Sequence, residues 1–486
     1  MLSKFPYLRQ DFLASIVVFL VAVPLCVGVA VASGVPAELG LITGIVGGLV
    51  TGLMRGSSLQ VSGPAAGLTV LVFEAVSEFG VATLGLIVLI AGLLQLAMGF
   101  LKIGRWFRAI SVSVVEGMLC GIGLVIIAGQ IYAAASLKAP ETGIGKIAGL
   151  PGAFAEAHGN TEALASLAIG AGTIAVIVLW KKMPKAVQSV PGALAAVVLA
   201  TLATLALSLP VATVQVEGLL GVIQPPGADA FGALANPAIW GTIVAFALIA
   251  SAESLFSAAA VDRLHDGPRT EYNKEMVAQG AGNTVCGLLG ALPMTAVIVR
   301  SSANVNAGAK TKASRVLHGV WLLLFATAMP WALALIPIPA LASILVHAGW
   351  KLIPFRGIVS LWRGHRGEAL ILVVTAVSIV AVNMFEGVLI GLALSVAKTA
   401  WEASHLKTEV IDKGAGPIQV YLSGNATFLR LPKILDHLEA LPQDRPIELN
   451  LSRLHHLDHA CRMALETWAE RHSSPDTDPV KVTTNT

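Results

Sequence analysis

Apolar stretches of about 20 residues recur along this chain, each long enough to cross the ~30 Å hydrocarbon core of a bilayer as a helix. In hydrocarbon every backbone N–H and C=O must find a partner within the protein, so such stretches are expected to be helical. The template predicts spans over 12–32, 37–54, 64–79, 81–101, 109–133, 162–180, 190–209, 238–260, 272–291, 300–308 with a preceding strand, 314–336, 339–353, 367–382 and 384–403. Charged residues make up only 13% of the chain, hydrophobic residues 55%, and mean hydropathy is +0.78. A soluble domain would carry ~25% charged residues. The expected fold class is an all-α polytopic membrane protein with 14 transmembrane segments.

Basic residues test that count independently, because they accumulate in cytoplasmic loops. They cluster after the even-numbered spans, at Arg55, at Lys102, Arg105 and Arg108, and at Lys181, Lys182 and Lys185. The second half repeats the pattern with Arg263 and Arg269, with Lys310, Lys312 and Arg315, and with Lys351, Arg356, Arg363 and Arg366. Lys138 and Lys146 are the exceptions among the odd-numbered exits. An even count with this asymmetry predicts an integral protein of the plasma (inner) membrane with both termini in the cytoplasm. Residues 1–11 carry Lys4, Arg9 and Asp11 without an evident cleavage site, so the first span is expected to be retained. The net charge of +3 gives no argument for nucleic-acid binding. Cys26, Cys120, Cys286 and Cys461 have no paired spacing, which predicts free thiols and no metal site.

Two stretches break the pattern. LQVSGPAAGL at 59–68 and AVIVRSSANVNAG at 296–308 each read as a β-prone run (59–61 and 296–299) that stops at small and polar residues and restarts as a helix. Irregular backbone at membrane depth is tolerated only where it is buried or lines a cavity. A helix that restarts there points its positive dipole end inward, a fit for an anion. The breaks fall in the third span of each half, 12–209 and 238–403, which are joined by an extracytoplasmic loop at 210–237. Two consecutive seven-span halves must insert with opposite orientation, so an inverted repeat with an anion site at its midplane is expected.

Glu253 lies halfway along the eighth span, where an ionisable group costs ~3 kcal/mol or more and is functional by default. Burial disfavours a charged carboxylate, so such a group can carry a proton; the plainer role is an ion pair with Arg300. Pro24 kinks the first span beside Leu25 and Cys26, where bulk would narrow a substrate cavity. Glu38, Glu74, Glu116, Asn283 and His318 fit packing, a helix–helix hydrogen bond or a gate, and none is expected to be a ligand.

The strings VAVPLCVGVAVASGVPAELGL (21–41), LQVSGPAAGL (59–68), ASAESLFSAAAVD (250–262), AQGAGNTVCGLLGALPMTA (278–296) and VRSSANVNAGAKTKAS (299–314), in this order, resemble the SulP family of anion transporters and permeases. The resemblance implies core and gate domains of seven-plus-seven inverted helices, an elevator-like movement of the core, and an anion site between the third and tenth spans beside the first and eighth. Carried onto this chain, that site consists of Ser62, the backbone N–H groups of Gly63, Ala65 and Ala66, and those of Ser301, Ser302 and Ala303. Arg300 adds a cation, and Pro24 and Cys26 a wall. Ser62 and Pro64 also suit a plain helix start as N-cap and first helical residue. In the sodium-dependent bicarbonate branch the position of Glu253 resembles an aspartate that binds sodium with a nearby hydroxyl; here glutamate, with Ser257 four residues on, favours a proton over sodium. The PLCVGVAVASG run resembles the bicarbonate branch more than the sulfate branch, where a glutamine often follows that proline.

After residue 403 the composition turns charged and mixed. IQVYL at 418–422, a helical run near 426–441, IELNL at 447–451 and the helical HACRMALETWAERH at 459–472 read β–α–β–α. That order resembles the opening of the regulatory STAS domain over 404–472, with a polar tail at 473–486 in place of its later strand and helix. His459-Ala460-Cys461 stands where phospho-regulated relatives carry a serine after the loop aspartate, here Asp458, so docking or homodimerisation is expected of this piece.

The expected function is secondary active symport of a small anion with a proton. The substrate is bicarbonate, sulfate or a dicarboxylate such as fumarate, with Glu253 and Ser257 coupling transport to the proton. An uncoupled anion channel or exchanger is the alternative. No cofactor and no enzymatic activity are expected, since no nucleophile–base pair or metal-spaced cluster stands outside the spans.

Overall fold

The structure, a computed structural model, describes residues 7–109, 111–180, 182–184, 187–414, 416–442, 445–472 and 480–483. Lys181 and Lys185 among the basic exits, residues 1–6 of the N-terminal segment, and most of the expected tail lie outside the described residues. The chain divides into two compact units, Met1–Gly391 and Leu392–Thr486.

The first half of the large unit runs α1 (Leu8–Ala32), α2 (Ala37–Val46) continued by a π-helical turn Gly47–Thr51, β1 (Ser62–Pro64), a 3-10 turn Ala66–Leu68 opening into α3 (Thr69–Phe79), and α4 (Val81–Phe100). It continues through α5 (Val112–Ala134), α6 (Gly143–Ala148), α7 (Leu150–His158), α8 (Thr161–Trp180) and α9 (Gly192–Ala206). The second half runs α10 (Ala228–Gly232), α11 (Pro237–Val261), α12 (Tyr272–Leu288), β2 (Met294–Ala296), α13 (Ile298–Asn306) and α14 (Ala313–Ala328). Then come α15 (Pro330–Ala334), α16 (Ile338–Leu352), α17 (Phe355–Gly364), α18 (Arg366–Ala381) and α19 (Met384–Ala403), within which the large unit ends at Gly391.

Every expected span coincides with a helix. Seven are long and apolar enough to cross a membrane on length and composition, while Ala37–Thr51, Gly192–Ala206 and Ala313–Ala328 are shorter apolar helices. Three details differ from the sequence reading. The eleventh segment is two helices, because Pro330 lacks an N–H and its ring disfavours helical geometry at Met329, whose φ and ψ are −131° and 45°. The stretches 134–161 and 210–237 carry the short helices α6, α7 and α10 where plain loops were expected. The strands sit at 62–64 and 294–296, later and earlier respectively than the β-prone runs, because pairing between the two breaks sets their register.

Without a hydrophobic driving force between helices in lipid, close packing depends on small residues. Gly85, Gly92 and Gly99 on α4 face Gly280 and Gly287 on α12; a Cβ at Gly92 or Gly287 would strike the backbone of Thr284 or Leu89. Gly117 and Gly121 of α5 meet α18 in the same way, and Gly123 meets Gly349 of α16. The largest buried apolar cluster draws Leu39, Leu84 and Ile87 from the first half and Ile243 and Phe246 from the second, so the two halves share one interior.

The small unit holds a four-stranded sheet in the order β3 (Leu406–Ile411), β4 (Ile418–Ala426), β5 (Ile447–Leu457), β6 (Lys481–Thr483), antiparallel at its first pair and parallel at the other two. β6 adds a strand within the stretch expected to be only a polar tail. Alternate residues Ile418, Val420 and Leu422 point inward and pack with Ile434 of α20 (Leu431–Glu439) and Leu465 and Trp468 of α21 (His459–His472). Asp458 caps α21, accepting the N–H of Cys461 at 2.7 Å and that of Phe428 at 2.5 Å. Although partial burial opposes it, these hydrogen bonds hold the Asp458 carboxyl below the usual range. Burial, with Asp458 alongside, pushes the Cys461 thiol up to about 12, so it is an inert core residue. All four cysteines are buried and unpaired.

Candidate functional site

The two breaks meet. Ser62 lies opposite Ala296, Gly63 opposite Thr295 and Pro64 opposite Met294 in an antiparallel pair, prolonged by Val297 N–H to the Val61 carbonyl at 2.9 Å. Each strand runs on into a helix, β1 by way of the 3-10 turn into α3 and β2 into α13. Such short strands would strand polar backbone in the interior, and buried side chains of neighbouring helices satisfy it. Asn283 grips Met294 through both its N–H (2.7 Å) and its carbonyl (3.1 Å) and is held in turn by Gln95 at 2.7 Å. Ser254 of α11 receives the Ala296 N–H, and the Ser254 carbonyl receives Gln60. Asn283 is thus a structural clamp on the strand pair.

Helix geometry then fixes which donors are free. α13 starts at Ile298 with Val297 as its cap, so Ile298, Val299 and Arg300 carry the N–H groups without intrahelical acceptors. The Ser301 N–H is already bonded to the Val297 carbonyl at 2.9 Å, and Ser302 and Ala303 lie deeper in the helix. The donors at this end are therefore one turn earlier than the sequence reading placed them. At the other end Ala65 caps the 3-10 turn and receives the Leu68 N–H, which leaves Ala66 and Gly67 as the outward donors.

Arg300 is fully buried, donates from Nη2 to the Pro64 carbonyl at 3.1 Å and stands beside the Cys26 thiol, while Nε and Nη1 reach no nitrogen or oxygen partner. The Glu253 Oε2 is likewise buried without a partner. Among the described residues no ion pair joins them, although a buried charge without a partner is costly. Each rests on a glycine of the other half: a Cβ at Gly63 would strike Arg300 Nη1, and one at Gly67 would lie 2.5 Å from Glu253 Oε1.

Both groups open into one cavity of about 440 Å³. Pro64, Ala66, Gly67 and Val297 to Arg300 line it from the two helix starts, Glu253 and Ser257 from α11, and Leu25 and Val29 from α1. Glu116 and Leu119 of α5 with Lys351 and Pro354 at the end of α16, two residues before Arg356 in the chain, complete the lining. Of the residues proposed from sequence, Arg300, Ala66, Glu253 and Ser257 line this cavity.

The others have different surroundings. The Ser62 hydroxyl accepts Gln279 at 2.7 Å, and the Ser301 hydroxyl links the Val61 N–H to the Val297 carbonyl. The Ser302 hydroxyl bonds the Val299 carbonyl, Gly63 and Ala65 are buried in the backbone crossing, and Cys26 packs on Gly44 of α2 with its thiol beside the Arg300 guanidinium, outside the cavity lining. Pro24 is buried in α1, whose Leu25 and Val29 form the cavity wall in its place. Glu38 accepts the N–H groups of Glu217 and Gly218 at 2.6 and 3.1 Å and pins the loop between the halves.

Residues 8–375 match the sulfate permease family. The chain belongs to that family. Its relatives include YvdB of Bacillus subtilis (strain 168), named provisionally as a sulfate transporter, at 27% identity over 96% of this chain and 88% of that one. The bicarbonate transporter BicA of Picosynechococcus is 24% identical over 96% of this chain and 87% of its own. Among solved structures, SLC26A9 superposes on all of this chain and 85% of its own with a TM-score of 0.82 at 16% identity, a likeness of fold. The chain is thus a membrane protein of an anion-transporting family with both sulfate and bicarbonate transporters among its relatives.

Proposed function

We propose that this protein is a secondary active transporter of a small anion in symport with a proton, the anion binding between the starts of α3 and α13. One observation carries the reading: two opposed helix starts, a buried arginine with two unpartnered nitrogens and a buried carboxyl with an unpartnered oxygen share a single cavity. An anion there satisfies Arg300 and the free N–H groups of Ile298, Val299, Ala66 and Gly67 together. An ionised Glu253 competes with it for the same positive ends. The site therefore holds either a substrate anion beside protonated Glu253 or no anion beside ionised Glu253, and that exclusion couples the two movements.

The element order supports an inverted seven-plus-seven repeat: α1 and α11 are both 25-residue helices, and a strand followed by a short helix comes third after each. The local axis of that symmetry is the Gly63–Thr295 pair. The cavity's ligands come from α1, α3, α11 and α13 and the rest of its lining from α5 and α16, the arrangement an elevator needs when one domain carries the site past another. Lys351 in that lining and Arg356 just beyond it in the chain are basic, so this state opens to the cytoplasm. Bicarbonate, sulfate and a dicarboxylate all suit backbone donors; the span-1 string favours bicarbonate. The small unit serves docking or dimerisation.

The test is uptake of labelled bicarbonate, sulfate and fumarate into proteoliposomes, with and without an inward proton gradient and without sodium. Accumulation of one anion above equilibrium, driven by the proton gradient, is expected, and Glu253→Gln should abolish it while sparing anion exchange. Flux indifferent to pH that dissipates with membrane potential would make the protein an uncoupled channel.

A further inference from the structure

A second and larger pocket, of about 890 Å³, lies outside the transport cavity, between the ends of α2 and α4 and the starts of α12 and α14. Its floor is apolar, with Leu53, Gly99 and Val277, and its rim carries Arg55, Lys102, Arg105 and Lys312. The one acid lining it, Glu271, is taken by Lys274 at 2.6 Å. Lys312 donates to the Leu53 carbonyl at 2.9 Å, and among the described residues no ion pair involves Arg55, Lys102 or Arg105. Beside these cations Phe100, Leu101 and Trp106 are 71%, 72% and 69% exposed. A run of exposed apolar and aromatic groups next to unneutralised cations is the pattern of the bilayer interface on a cytoplasmic face, where tryptophan sits at headgroup level.

We propose that this pocket binds an anionic phospholipid, its phosphate held by Arg55, Lys102 and Arg105 and its acyl chains running down the exposed face at Phe100 and Leu101. Charge complementarity selects the headgroup, because the lining carries a large excess of cations over acids. The adjoining apolar surface selects a lipid over a soluble phosphate, which would leave Phe100 and Leu101 unused. The pocket bridges α4 and α12, the pair packed through Gly92 and Gly287, and the starts of the helices that flank the second break, so a bound lipid ties the half-helix region to the surrounding leaflet.

Native mass spectrometry of the full chain, titrated with phosphatidylglycerol, phosphatidylcholine or glycerol phosphate, tests this directly. Phosphatidylglycerol should be retained and phosphatidylcholine should not, and millimolar glycerol phosphate should not displace the lipid. The triple variant Arg55→Gln, Lys102→Gln, Arg105→Gln alters surface side chains only and should weaken retention roughly fivefold per cation, about a hundredfold in all. A control that removes Arg356, Arg363 and Arg366 by the same substitution should change it less than about threefold, since none of those residues lines the pocket. Equal losses in the two variants, unchanged retention in the first, or displacement by glycerol phosphate would each overturn the proposal. So would loss of a dimer peak in place of a lipid adduct, which would assign the face to a second copy of the chain.

Discussion

The two broken elements share a skeleton and divide the chemistry unequally. Both are a three-residue strand followed by a short helix, paired about Gly63 and Thr295. Yet the first half contributes space and neutral donors, through Gly63, Ala66 and Gly67, while the second half contributes both ionisable groups, Glu253 and Arg300. Each glycine of one half is the floor for a charged group of the other. Shape at this cavity thus comes from one half of the chain and ionisable groups from the other.

The sharpest way to break this division is Arg300→Gln, which keeps the volume and removes the cation. Anion affinity should fall at least about thirtyfold, as when one member of a buried charged pair is lost, measured by isothermal titration or competition uptake. An unchanged affinity would assign the anion wholly to backbone donors.

The two glycines separate the roles next. Gly67→Ala puts a methyl against Glu253 and should slow proton-driven uptake about tenfold with little change in anion affinity. Gly63→Ala crowds Arg300 and should do the reverse. If the two variants shift the same parameter, the halves are not specialised as described.

Asn283→Ala addresses the shared skeleton: it removes hydrogen bonds to the Met294 N–H and carbonyl and to Gln95. A loss of about 3 kcal/mol of stability is expected, read as a lowered Tm by thermal shift in detergent, since buried groups left unpaired cost 1–3 kcal/mol each. The smallest effect belongs to the small unit, where Asp458→Ala removes the cap of α21 for about 1 kcal/mol. The depressed carboxyl also sets a pH window: its stabilisation is full above the ordinary aspartate value near ~4 and fades as pH falls through the lower folded value. Circular dichroism of the chain between pH 5 and 2 would follow it.

The composition changes near residue 403, whereas the compact units divide within α19, between Gly391 and Leu392. Sequence alone established the helical membrane class, the two breaks, and Glu253 and Arg300 as ionisable residues among apolar ones. These are legible because hydrocarbon imposes a length and a composition on every crossing helix, and because any departure from them is conspicuous. It also singled out Ala66 and Ser257, which line the cavity, since both lie close in sequence to a conspicuous residue.

Only the tertiary structure decided which backbone donors are free, because the pairing of residues 62–64 with 294–296 sets where α13 begins. A β-prone Ile298-Val299 read locally as strand; cross-strand pairing ended before it and made it the first turn of a helix. The strand clamp of Asn283 and Gln95, the glycine floors under Arg300 and Glu253, and the basic pocket all join residues far apart in sequence. Periodicity and propensity carry no information about such pairs, which exist only once the two halves have packed against each other.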